Sequence, residues 1–68
     1  MKLYRFLSGP DDSSFCHRVT DALNKGWTLH GSPVYTFNQA ENQMQCGQAV
    51  CKDVDGKTYS PDMKLGEQ

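Results

Sequence analysis

The fold is decided by residues 8–27, SGPDDSSFCHRVTDALNKGW, which carry the start signal, the body and the stop signal of one helix. The Pro-Asp-Asp triplet at 10–12 suits a helix start, because proline needs no partner for its missing N–H. Its acidic side chains also favour the positive end of the helix dipole. Gly26 follows the last periodic residue and suits the left-handed conformation that commonly ends a helix. We therefore predict a helix over residues 11–25.

The predicted helix has one apolar side. At 100° per residue, an arc of about 100° holds the residues Phe15, Val19, Ala22 and Leu23, with Cys16 at its margin. The opposite side is polar. This distribution is typical of a helix that packs one side onto a sheet and leaves the other in water.

Three extended segments surround this helix. Residues 2–7 (KLYRFL) are dense in aromatic and aliphatic groups, residues 27–37 contain Gly-Ser-Pro at 31–33, and a third strand over 43–54 follows a polar turn. Proline inside a strand belongs at a sheet edge or a bulge, so residues 27–37 form either one long bent edge strand or two short strands. We therefore predict an α+β domain of order β-α-β-β, with a three-stranded, mainly antiparallel sheet, the third strand central and the helix on one face. An arrangement with the first two strands adjacent and parallel through a right-handed crossover is also allowed.

The composition predicts one small domain with a thin core. The 68 residues include only 37% apolar side chains, against roughly 45–50% in typical globular domains. A chain of this length excludes a multidomain enzyme. We place the domain at residues 1–54. Residues 55–68 are polar and aperiodic, and we predict that they form a flexible tail.

Charge and cysteine content narrow the class of protein. The net charge is −1 and the basic residues are scattered, which argues against nucleic-acid binding. No apolar run predicts a membrane span or a signal peptide. An odd number of cysteines, three, does not fit a disulfide-stapled domain. We expect a cytoplasmic protein whose cysteines are reduced and behave as small buried apolar groups.

The sequence predicts no catalytic site and no metal-binding site. Cys16 and His17 are neighbours and would point about 100° apart on a helix. His17 and Asp21 have the spacing of an ordinary solvated contact between helical residues four apart. No Cys-x-x-Cys or His-x-x-x-His spacing predicts a metal site. We therefore predict a non-enzymatic protein without a cofactor or a metal.

The strand patterns predict a second apolar sheet face that the single helix leaves uncovered. Such a face usually marks an interface or a ligand site. Here aromatic side chains could stack on a ligand and basic side chains could hold an anionic group, while Trp27 either packs the helix onto the sheet or stacks on the ligand. The candidate ligand or interface residues are Tyr4, Arg5, Phe6, Trp27, His30, Tyr35 and Phe37.

Five runs of sequence, SGPDD (8–12), FCHRV (15–19), LNKGW (23–27), HGSP (30–33) and CGQAV (46–50), resemble a short bacterial and phage family. That family is known only as a domain of unknown function, and the resemblance spans residues 1–54. It implies a small stand-alone module without a known catalytic site. It transfers no activity to any residue of this chain.

Together these features predict a self-associating binding module of phage or accessory-gene origin. We expect a homo-oligomer that binds a small, nucleotide-like ligand or a host protein at its oligomeric surface. The alternative is a structural or regulatory protein–protein adaptor that binds no ligand.

Overall fold

A computed structural model describes residues 1–68 and contains one sheet of three strands with one helix. The elements are β1 (Lys2–Pro10), α1 (Ser13–Asn24), β2 (Thr28–Asn38), β3 (Gln43–Asp53) and a short 3-10 turn (Leu65–Glu67). The strand order is β1-β3-β2, and both neighbouring pairs are antiparallel. The predicted α+β fold with a central third strand is confirmed, and the arrangement with β1 beside β2 is wrong.

Helix α1 begins and ends at the predicted signals. Asp12 is the N-cap, and its carboxylate accepts a hydrogen bond from the Ser14 main-chain N–H at 2.9 Å and another from the Ser14 hydroxyl. These hydrogen bonds lower the pKa of Asp12. At the other end Gly26 adopts a φ of 95°. The Trp27 N–H then donates to the Ala22 carbonyl at 3.1 Å, which turns the chain back towards the sheet.

The core lies on one side of the sheet, beneath α1. It consists of Leu3, Leu7, Ala22, Trp27 and Val50, with Phe15 and Val19 packed against it. Trp27 is only 2% exposed, so it packs between helix and sheet. Cys16 is exposed and the other two cysteines are half-buried, which corrects the expectation that all three are buried.

Strand β2 bends where proline was expected to interrupt it. His30 lies opposite Ala49 and Val34 lies opposite Gly47, so β2 advances four residues where β3 advances two. Gly31 supplies the positive φ of 71° that this bulge needs. Because β2 is an edge strand, the missing N–H of the proline costs no internal sheet hydrogen bond.

Residues 55–68 contain no strand, and part of them packs against the domain. Leu65 contacts the core cluster from the side that α1 also covers. The Lys52 ammonium donates a hydrogen bond to the main-chain oxygen of Gln68. We call residues 64–68 the C-terminal strap. The flexibility of residues 55–68 stays a prediction.

Gly47 allows two side chains to meet on the face of the sheet that points away from α1. A Cβ at this position would lie 2.4 Å from Phe6 Cζ and 2.7 Å from Val34 Cγ2. Neither distance is compatible with a real contact. The absence of a side chain at Gly47 therefore lets Phe6 and Val34 approach each other across the central strand.

Replacing Gly47 by alanine should destabilise the fold by about 1–3 kcal/mol, the usual cost of overpacking. Without the collision, alanine would stabilise a strand by about 0.5–1 kcal/mol relative to glycine. The sign of the stability change therefore shows whether the collision exists. Urea denaturation measures it. Ser8→Ala, at the position opposite Gly47 on β1, is the matched control and should change little. An unchanged or increased stability of Gly47→Ala would contradict the packing described here.

Candidate functional site

The sheet face away from α1, which we call the open face, carries a continuous apolar patch. Residues that lie directly opposite in antiparallel strands share a face, and Phe6 and Val34 flank the central strand there. The patch consists of Tyr4, Phe6, Val34, Gly47, Ala49 and Cys51. Tyr4, Phe6 and Val34 are 54%, 51% and 51% exposed. Small residues on the central strand thus lie between larger side chains on both edge strands.

The two ends of the open face are polar. Lys2 lies opposite Asp53 at one end, and Ser8 and Thr36 lie towards the other. A cavity of about 390 Å³ opens at the Lys2 end, where His30 also contributes to its lining. An apolar patch with a polar rim is the usual anatomy of a protein interface.

The structure divides the seven candidate residues between the two sides of the sheet. Tyr4, Phe6 and His30 lie on the open face. Arg5, Trp27, Tyr35 and Phe37 lie on the side of α1, since they are opposite or adjacent to residues of that side. The seven residues therefore do not form one site, and Trp27 is too buried to stack on a ligand of the open face.

Sequence reasoning missed Val34 as a member of the open face. Alternation along each strand shows that Val34 and Tyr35 point to opposite sides. It does not show which of them shares a side with Phe6. The bulge inserts an even number of residues between His30 and Val34, so these two residues lie on the same face of the sheet. Only the pairing of β1 and β2 with β3 shows that Val34, and not Tyr35, shares a face with Phe6.

On the side of α1, the Asp11 carboxylate joins three elements. It accepts a hydrogen bond from the Tyr35 hydroxyl and lies 3.8 Å from Cys46 Sγ. The Asp11 main-chain N–H donates to the Met44 carbonyl at 3.1 Å. The hydrogen bond to Asp11 raises the pKa of Tyr35. Desolvation, followed by the charge of Asp11, raises the pKa of Cys46, so the thiol is not activated as a nucleophile.

The structure brings together no group of three or more His, Cys, Asp or Glu side chains that could hold a metal ion. Asp21, which lies four residues after His17 in the chain, forms an ion pair with Lys25 at 3.0 Å. All three cysteines are free thiols. No helix is long and apolar enough to cross a membrane.

The hydrogen-bonded cluster of Asp11, Tyr35 and Cys46, which we call the Asp11 cluster, predicts a loss of stability at alkaline pH. Tyr35 and Cys46 have folded-state pKa values above their ordinary values of 10.0 and 9.0, so each favours folding while protonated. This stabilisation is complete below the ordinary pKa and is lost as the pH rises through the folded-state value. The free energy of unfolding should therefore fall above pH 9.0, when measured by urea denaturation at several pH values.

Asp11→Asn should make this alkaline decrease shallower, because it removes the charge and the carboxylate acceptor that hold both protons in place. A spectrophotometric titration of the tyrosines should show one of the three pKa values moving down in the variant. Glu41→Gln, in the turn between β2 and β3, is the control that should behave as the wild type. Identical alkaline profiles for Asp11→Asn and the wild type would refute the linkage.

Comparison with known proteins identifies one family. Residues 1–53 match the family model described as Domain of unknown function (DUF1737). No curated protein and no solved structure matches the chain. The match confirms the resemblance seen in the sequence, and it covers β1, α1, β2 and β3 while leaving the C-terminal strap outside. The chain therefore belongs to the DUF1737 family, a domain whose function is unknown.

Proposed function

We propose that this protein is a non-enzymatic, self-associating binding module in which two copies meet through their open faces. The observation that carries the proposal is the continuous apolar patch built around Tyr4, Phe6 and Val34. The large side chains of this patch are about half-exposed, as are those of Leu29, Tyr35 and Phe37 on the other side of the sheet. Apolar patches of this kind on small proteins commonly serve as interaction surfaces.

The total surface of the chain is larger than that of a compact monomer, which leaves area for an interface. The chain exposes 4862 Å², whereas a compact monomer of 7.6 kDa exposes about 4,300 Å². The excess of roughly 600 Å² approaches the ~800 Å² that each partner contributes to a standard interface. The radius of gyration, 13.4 Å, also exceeds the ~11 Å of a compact chain of this length.

The composition of the open face suits a packed sheet-on-sheet interface. Stacked sheets lie about 10 Å apart, which brings large side chains from both inner faces into one core. The charged residues Lys2 and Asp53 lie at the end of the face and not among the apolar side chains. Pairing two open faces would therefore bury few charges, whose desolvation would otherwise oppose association. A two-fold arrangement uses the same patch on both copies and closes the assembly.

Light scattering on the purified chain tests this proposal. The wild type should form a dimer at micromolar concentration. Phe6→Asp should raise the dissociation constant at least tenfold, since it places a charge at the centre of an apolar interface. Phe37→Asp is a closely matched control, because Phe37 has nearly the same exposure, 50%, and lies on the opposite side of the sheet.

Circular dichroism checks that both variants remain folded. A wild type that stays monomeric at about 100 μM, well above the range of specific dimers, would overturn self-association. Equal loss of the dimer in Phe6→Asp and Phe37→Asp would overturn the assignment to the open face.

A further inference from the structure

The side chains of Arg5 and Lys52 both lie over Trp27, and neither forms a salt bridge with an Asp or Glu side chain. Arg5 Cζ lies 5.2 Å and Lys52 Nζ lies 5.8 Å from the centroid of the indole ring. The only salt bridge in the structure is that of Lys25 with Asp21, so neither cation has an Asp or Glu side-chain carboxylate within 4.0 Å. The Trp27 Nε1–H is buried and has no hydrogen-bond acceptor. This part of the helix side therefore combines excess positive charge with an unsatisfied donor.

The C-terminal strap lies over these cations. The Lys52 ammonium donates one hydrogen bond to the Lys25 carbonyl at 2.6 Å, at the end of α1, and another to the main-chain oxygen of Gln68. A Cβ at Gly66 would lie 3.3 Å from Arg5 Nη2, so the strap backbone runs against the guanidinium. A cavity of about 390 Å³ lies here, lined by Lys25, Lys52, Gly66, Glu67 and Gln68.

We propose that Arg5 and Lys52 form a binding site for a phosphate group, and that the strap competes for this site. Arginine binds phosphate through two parallel N–H donors, and lysine binds it as a point charge. A phosphate oxygen takes the place of the Gln68 main-chain oxygen on Lys52, while Lys52 keeps its hydrogen bond to Lys25.

The strap lies outside the residues that match the family, and few contacts hold it. Both cations and Trp27 belong to the matched residues 1–53, whereas the strap that covers them lies outside. The strap is held by the packing of Leu65 against the core and by the hydrogen bonds that Lys52 and Lys57 donate to Gln68. These contacts are few, and none of them is a pairing with a sheet strand.

This site is separate from the proposed self-association surface. Arg5 and Lys52 lie on the side of α1, whereas the dimer is assigned to the open face. Phosphate binding and dimer formation can therefore fail independently. Light scattering measures dimer formation, and a fluorescence titration at Trp27 measures phosphate binding.

The full chain is titrated with inorganic phosphate while Trp27 fluorescence is recorded, with KCl holding the ionic strength constant. Trp27 is the only tryptophan, so the signal comes from the site itself. We expect a saturable change at phosphate concentrations below about 10 mM, the range of weak anion binding. Arg5→Gln and Lys52→Gln should each weaken binding at least tenfold. Arg5→Lys should recover part of it, because it restores the charge without the paired donors.

Leu65→Ser should strengthen phosphate binding severalfold, because it loosens the competing strap without touching either cation. Circular dichroism confirms that each variant is folded. Lys2→Gln is the matched control, since Lys2 lies opposite Asp53 on the open face and not on the side of α1, and it should bind phosphate like the wild type.

Three results would overturn the proposal. A change no larger than that caused by KCl alone would exclude a phosphate site. A loss of binding in Lys2→Gln but not in Arg5→Gln would move the site to the open face. Weaker binding in Leu65→Ser would show that the strap builds the site and does not compete for it.

Discussion

The burial of Trp27 between α1 and the sheet is the contact on which the rest of this structure depends. Its side chain is the largest of those that are almost fully buried, in a core of only five residues. Full burial of an apolar side chain stabilises a fold by roughly 1.5–3 kcal/mol, which is a large share of the marginal stability of so small a domain. The turn at Gly26 places Trp27 there, because its positive φ reverses the chain directly after the helix.

A core built around Trp27 uses one side of the sheet only. The helix covers the Leu7 and Ala22 part of that side, and Leu65 of the strap reaches the same cluster from the other end of the chain. No element remains to cover the opposite side. Tyr4, Phe6 and Val34 stay half-exposed there, as Leu29, Tyr35 and Phe37 do at the part of the α1 side that the helix does not reach.

Local signals allowed much of the fold to be predicted. The N-cap at Asp12, the left-handed Gly26 and the bulge at residues 31–33 all lie at or beside the positions that the sequence indicated. The edge position of the proline-containing strand also led to the correct strand order. The candidate site was predicted less well. Its open face was anticipated from apolar groups on both sides of the strands, but four of its seven proposed residues lie on the other side.

The sequence by itself determined the secondary-structure elements, their order and the existence of a second apolar face. These features follow from caps, turn residues and alternation, which act between neighbours in the chain. Only the tertiary structure decided that Val34 joins Phe6 above Gly47, and that Arg5, Lys52 and the strap meet around Trp27. Those contacts depend on strand register and on packing between residues far apart in sequence, and side-chain alternation within one strand carries no information about either.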